Sequence, residues 1–193
     1  MQTSRIFLAS SSPYRRALLA RLGLGFEWRN PAVDESPQPN EAPDALAKRL
    51  ARAKASAVAA TVGEPAVVIG SDQVASLAGA PTGKPGSREL AQAQLRRASG
   101  NVLEFYTAVA VVAGSHVQTD VDVTRVRFRD LSDAEIEHYL DREQPYDCAG
   151  SFKAEGLGIA LFESIESSDP TALIGLPLIL LCRQLRAIGI VLP

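Results

Sequence analysis

The stretch LASSSPYRR, Leu8 to Arg16, sets three serines and two arginines around a point where a helix is expected to begin. The first turn of a helix has N–H groups without partners and a partial positive charge. Ser10, Ser12, Arg15 and Arg16 would add hydroxyls and guanidiniums there, which in physical terms is an arrangement for holding phosphate. A Ser-Pro capped helix with two solvated arginines uses the same residues, and the stretch alone leaves both readings open.

Carboxylates come next. Asp72 ends the apolar strand AVVIGSD, and ligands of open α/β sheets gather outside the carboxyl ends of strands. A carboxylate in that place could hold Mg2+ or take a proton from water; the alternative is an Asp that merely forms a turn. Asp34 and Glu35, in VDES, are a carboxylate pair in a proline-rich loop, a metal-binding pair only if the fold carries them to Asp72. Lys54 lies at the edge of an apolar helix face, four residues after Leu50, placed either to reach a ligand or to snorkel over the core edge. Lys84 is held in the rigid turn PTGKP. Lys153 lies in SFKAEG with Glu155 close behind, a glycine-rich loop carrying both signs that could read a polar base edge.

The elements that must position these residues follow from pattern. RIFLAS reads as a short buried strand. Ser12 is then an N-cap, Pro13 the first helical residue, and YRRALLARLG a helix stopped by Gly23. FEWRNPAVDESPQPNEAP is extended and then loop-like. A second helix is expected from about Asp44 to Ala60, with Leu46, Leu50, Ala53 and Ala57 on one face. AVVIGSDQVASLAG begins as a central strand, APTGKPGS is a turn, and Ser87 caps a third helix. VLEFYTAVAVVAG and HVQTDVDVTRVRFRD form a long hairpin, the second strand alternating as an edge or half-exposed strand does. SDAEIEHYLDRE is a helix with Ser132 and Glu135 as a capping box. IALFESIES is a strand, and LIGLPLILLC is a core helix too short to span a bilayer. Strands and helices interleave, so the class is α/β, and the hairpin makes the sheet mixed.

Composition narrows the partners. The 193 residues suit one sizeable core, and a net charge of −2 gives no general affinity for nucleic acid or an anionic membrane. Two distant cysteines and two histidines have no metal-type spacing. The start lacks a signal-peptide core, so a cytoplasmic protein is expected. Walker A, Rossmann and HExxH patterns are absent, and no nucleophile triad stands out.

In this order and spacing, LASSSPYRRALL, VDES, RLARAKA, VIGSDQVA, TGKP, ASG, YDCAGSFKAEGLG and LIGLPL resemble the Maf family of nucleoside triphosphate pyrophosphatases over essentially the whole chain. The resemblance implies a single Maf-like domain over 1–193. Its fold would be an elongated mixed α/β structure similar to the inosine triphosphatases (Maf/Ham1-like), with two lobes around a central cleft. It implies hydrolysis of a nucleotide between its α- and β-phosphates, with a divalent cation, Mg2+ or Mn2+. It carries Asp72 over as proton acceptor and metal ligand, Glu35 as a metal-holding carboxylate, and Ser10, Ser12, Arg15, Arg16, Lys54, Lys84 and Lys153 as phosphate contacts. A homodimer is compatible with it, although no residue pattern encodes one.

Three positions depart from the family's commonest pattern. Tyr14 stands where that pattern has Arg, Gln73 where it has Thr, and Glu155 where it has Gln. The common form is similar to the dTTP/UTP pyrophosphatases; the Tyr14, Gln73, Glu155 set looks like the branch acting on 7-methyl-GTP. A 7-methylguanine ring is cationic and favours an aromatic face, and a carboxylate at 155 could accept from guanine N1–H and the exocyclic amine. Two other readings stand beside this one: a pyrophosphatase for dTTP, UTP or another modified nucleotide, and a nucleotide-binding regulator of septum formation.

Overall fold

A computed structural model describes residues 5–192. Its strands are β1 (Arg5–Ala9), β2 (Glu27–Arg29), β3 (Ala66–Leu77), β4 (Ala80–Thr82), β5 (Val102–Ala113), β6 (His116–Phe128) and β7 (Phe162–Glu166). Its helices are α1 (Pro13–Ala20), α2 (Pro43–Val62), α3 (Arg88–Ala98), α4 (Asp133–Glu143) and α5 (Leu178–Ala187). The strands form one seven-stranded mixed sheet in the order β2-β1-β3-β5-β6-β7, with β4 paired to β3 off that path. β1 runs parallel to β2 and to β3; the remaining pairs are antiparallel.

Alternation along β1 explains the helices on either face. Phe7 and Ala9 face Leu46, Leu50, Ala51 and Ala55 of α2, while Ile6 and Leu8 face Leu18 and Leu19 of α1 and Leu181 and Leu185 of α5. Further along the sheet a separate core joins Leu95 of α3 and Ile136, Tyr139 and Leu140 of α4 to Phe105, Phe128 and Phe152. Phe152 meets Phe105, Phe128 and Phe162 edge to face, with centroids 5.3, 5.6 and 4.8 Å apart. The expected capping box on α4 forms: Ser132 Oγ accepts from the Glu135 N–H, and the Glu135 carboxylate accepts from the Ser132 N–H.

Three sequence expectations change. Asp72 does not end its strand. β3 continues to Leu77 because β5 pairs with it over its whole length, Asp72 opposite Ala108. The turn APTGKPGS begins with β4, which folds back on Ala75–Leu77. The half-exposed reading of β6 holds: among the described residues β7 pairs with it only over Arg125–Phe128. The last helix starts at Leu178, so Leu173–Pro177 is loop. No helix among the described residues is long and apolar enough to cross a membrane.

Candidate active site

The site opens where β1 leaves the sheet. Ala9, its last residue, pairs with Gly70, and Asp72 lies two residues farther along β3. The chain then folds over itself. Ser10 Oγ accepts from the Ser12 N–H at 3.2 Å, and Ser12 Oγ, the cap of α1, accepts from the Arg15 N–H at 3.4 Å. Each hydroxyl thus uses its oxygen on backbone and keeps its proton to donate.

Gly70 lets α2 come down onto β3. A Cβ there would stand 2.2 Å from the Ala51 carbonyl oxygen and 2.7 Å from the Ala55 nitrogen. That approach drops Lys54 onto the same face as Asp72. The two are 4% and 6% exposed, and Lys54 Nζ lies 2.6 Å from Asp72 Oδ1. The same ammonium meets Glu35 Oε1 at 2.7 Å, so the VDES loop does bring its carboxylate to Asp72. Asp34 accepts instead from the Ser36 N–H in an exposed turn.

Electrostatics divide the two carboxylates. Burial raises the Asp72 carboxyl above its ordinary value, against the opposing pull of Lys54 and Arg15, with Glu35 adding to the rise. Burial also works to raise Glu35, but its hydrogen bond and charge contact with Lys54, helped by Lys84 and Arg15, bring it below its ordinary value. Burial lowers the Arg15 guanidinium, and the charges of Asp72 and Glu35 act against that. Arg15 Nε donates to the Gly175 carbonyl at 2.8 Å, and Ser71 Oγ donates to the same oxygen at 3.0 Å. Among the described residues, Nε is the Arg15 guanidinium nitrogen with a hydrogen-bond partner.

A second group gathers on the other side of Tyr14. Burial, then the neighbouring Cys148, Asp147 and Glu155, push the Tyr14 hydroxyl up to about 12. Consecutive residues on one helix turn therefore serve different neighbourhoods: Arg15 belongs with Asp72 and Glu35, and Tyr14 with Asp147, Cys148 and Glu155. Both neighbourhoods line one cavity of about 640 Å³, within the range of small-molecule sites. It lies where the α2 core and the α3–α4 core meet, with Leu46 and Leu50 from the first and Phe105 and Phe152 from the second.

A family profile described as Maf-like protein matches residues 5–188. The chain belongs to the Maf family. Three curated relatives are each named 7-methyl-GTP pyrophosphatase. That of Polaromonas sp. strain JS666 is 58% identical, covering 98% of this chain and 88% of the relative. That of Bordetella pertussis is 59% identical, covering 96% and 93%. That of Xanthomonas oryzae pv. oryzae is 57% identical, covering 98% and 99%. A solved nucleoside-triphosphatase/dITP/XTP pyrophosphatase from Mycobacterium abscessus aligns over 96% of this chain and 98% of its own, with a TM-score of 0.47 and 16% identity.

In this Maf chain Ser10, Ser12, Tyr14, Arg15, Glu35, Lys54, Asp72, Gln73, Lys84 and Glu155 line the common cavity. Two residues expected at phosphate do not. Arg16 is rotated about 100° from Arg15 around α1, and its guanidinium sits 4.4 Å from the centre of the Trp28 ring. Lys153 Nζ donates to the Glu143 carbonyl at 2.8 Å, at the negative end of α4. Gln73 is present but occupied: Nε2 lies 3.0 Å from Thr107 Oγ1, Ala172 O and Leu173 O. It shapes the cavity wall through the 172–175 loop. Sequence reasoning missed Ser71 and the Gly175 carbonyl. LIGLPL carried the signal for the second, but its apolarity read as helix.

Among the described residues no group of three or more His, Cys, Asp or Glu is arranged to hold a metal ion. Glu35 and Asp72 do converge on one point, each giving one oxygen to Lys54. That donor set fits Mg2+, which commonly takes one or two carboxylates, substrate phosphate oxygens and waters.

Proposed function

We propose that this Maf protein is a nucleoside triphosphate pyrophosphatase acting in the cytoplasm on 7-methyl-GTP, releasing 7-methyl-GMP and pyrophosphate. The observation that carries the reading is the polarity of the cavity: cations with Asp72 at the Arg15 end, an aromatic ring with Asp147 and Glu155 at the Tyr14 end. A cationic 7-methylguanine suits the second end, through ring contact and carboxylate acceptors. A triphosphate suits the first. The names of the close relatives agree with this substrate.

The residues divide the work by their chemistry. Ser10, Ser12, Arg15 and Lys84 bind and orient the phosphates. Lys54 and Arg15 offset the charge that moves onto the leaving pyrophosphate. Asp72, with its carboxyl raised by burial, accepts the proton of the attacking water. A divalent cation, Mg2+ or Mn2+, held by Glu35 and Asp72 would supply charge neutralisation and polarise a phosphate oxygen.

A nucleotide panel with Mg2+, assayed separately for pyrophosphate and for phosphate, tests the reading. Pyrophosphate from 7-methyl-GTP in preference to GTP, dTTP and UTP is the expected result. A preference for dTTP or UTP would overturn the substrate, and phosphate as the first product would overturn the bond cleaved. Activity that persists after chelation and dialysis would remove the cation.

A further inference from the structure

The turn that carries Glu155 is fastened at both ends to one residue, Glu143, the last of α4. At one end Lys153 Nζ donates to the Glu143 carbonyl at 2.8 Å. At the other the Leu157 N–H donates to the Glu143 carboxylate, Oε1, also at 2.8 Å. The Gly156 N–H closes the turn on the Lys153 carbonyl at 3.2 Å. The Lys153 N–H donates to the hydroxyl of Tyr139, one helical turn back along α4, at 3.0 Å.

Packing closes around the same carboxylate. A Cβ on Gly156 would stand 2.8 Å from Glu143 Oε1 and 3.0 Å from Oε2. A Cβ on Gly158 would stand 2.4 Å from the Lys153 carbonyl oxygen. Gly158 is therefore required by close approach to backbone, whereas a methyl group at Gly156 would displace the end of the Glu143 side chain. The chemistry of the clamp is favourable at each point: an ammonium at the negative end of a helix, and a backbone N–H on an ionised acceptor. Glu143 itself does not line the cavity. Glu155 does, exposed on that turn.

We propose that Glu143 is a positioning residue for base selection: by holding both ends of the Lys153–Leu157 turn, it keeps Glu155 at the Tyr14 end of the cavity. This rests on reading Glu155 as an acceptor for the base. Without the clamp the turn must be ordered each time substrate binds, and that ordering opposes binding. The Arg15 end, where bonds break, is left as it was. The effect therefore falls on KM for the cationic base and spares kcat.

Glu143→Ala and Glu143→Gln in the full chain test this by two measurements. One is amide hydrogen exchange over residues 153–157. The other is pyrophosphate release from 7-methyl-GTP and from GTP with Mg2+. In Glu143→Ala, exchange at the Leu157 amide is expected to accelerate by about tenfold or more. KM for 7-methyl-GTP should rise about tenfold or more, the worth of one hydrogen bond to a charged acceptor, with kcat nearly unchanged. Glu143→Gln keeps an oxygen that can accept from Leu157 and should stay close to the unaltered chain. If Glu143→Ala does not fold, Gly156→Ala pushes the carboxylate off Leu157 from the other side and should give the same split. Faster exchange with unchanged selectivity overturns the role, as does a fall in kcat with KM intact. An unaltered chain that shows no preference for 7-methyl-GTP over GTP overturns the base reading of Glu155 and the Glu143 role with it. A preference that survives Glu143→Ala removes Glu143 alone.

Discussion

Lys54 and Asp72 form an ion pair of 2.6 Å in which both side chains are more than nine-tenths buried. Removing two charges from water costs more than their attraction commonly returns, so such a pair is a poor way to stabilise a fold. On the proposed function its use is chemical: it would hold a carboxylate out of water, near its counter-charge, where a water attacks phosphorus.

Lys54→Met should therefore harm both fold and reaction. Asp72 would stay buried without its partner, a loss of about 3 kcal/mol that a urea denaturation midpoint reads. Pyrophosphate release should fall about a hundredfold or more. A rate close to that of the unaltered chain would take Lys54 out of the machinery.

The two carboxylates should titrate in opposite senses. A general base must be ionised, so kcat/KM should fall on the acid side through a pKa above the ordinary 3.8 of Asp. Because the Glu35 charge helps raise Asp72, Glu35→Gln should move that limb to lower pH. Stability follows the same signs. Folded Asp72 holds its proton more tightly than unfolded, so its contribution is complete below 3.8 and is lost as pH rises through the raised value. Folded Glu35 holds its proton less tightly, so its contribution is present above 4.5 and is lost as pH falls through the lowered value. An acid limb that does not move in Glu35→Gln would separate Asp72 from the observed titration.

Base preference should change at the Tyr14 end without changing the bond cleaved. Tyr14→Ala should cost 7-methyl-GTP about fivefold to thirtyfold in kcat/KM, the worth of a desolvated cation–π contact, and cost GTP less. Glu155→Gln should lower the ratio of 7-methyl-GTP to GTP in the same way. Pyrophosphate should remain the product in both. Steady-state kinetics on the two nucleotides decide it, and an unchanged ratio in both variants would move base selection elsewhere.

Gly70→Ala adds one methyl group where backbone stands in the way. The Ala51 carbonyl oxygen and the Ala55 nitrogen would be 2.2 and 2.7 Å from it. Helix α2 must shift, at about 1–3 kcal/mol, and Lys54 shifts with it. Thermal melting should show the loss, and activity should fall further than the melting temperature alone explains. Full activity in a destabilised protein would mean that Lys54 tolerates the displacement.

These residues also mark how far the sequence could be read. Local signals were legible: Ser12 and Ser132 as caps, Gly23 after α1, the short buried strand in RIFLAS. Each depends on neighbours within a turn or a strand pair. The misplacements share a different cause. Asp72 sits inside its strand because β5, more than thirty residues later, pairs past it. Arg16 and Lys153 found partners in Trp28 and Glu143, which no spacing rule connects to them. The cation total at the site was thus overstated, while the acidic character of the Tyr14 end, which needs Asp147 as well as Glu155, was only half seen.

Tyr14 and Arg15 are adjacent, yet they face the two ends of one cavity. Their α-carbons are about 3.8 Å apart, a separation no substitution can alter. On the proposed function, a substitution at position 14 would reach the choice of nucleotide while the arginine at the phosphate end keeps its place. Selectivity and chemistry would then rest on neighbouring residues that can change one at a time.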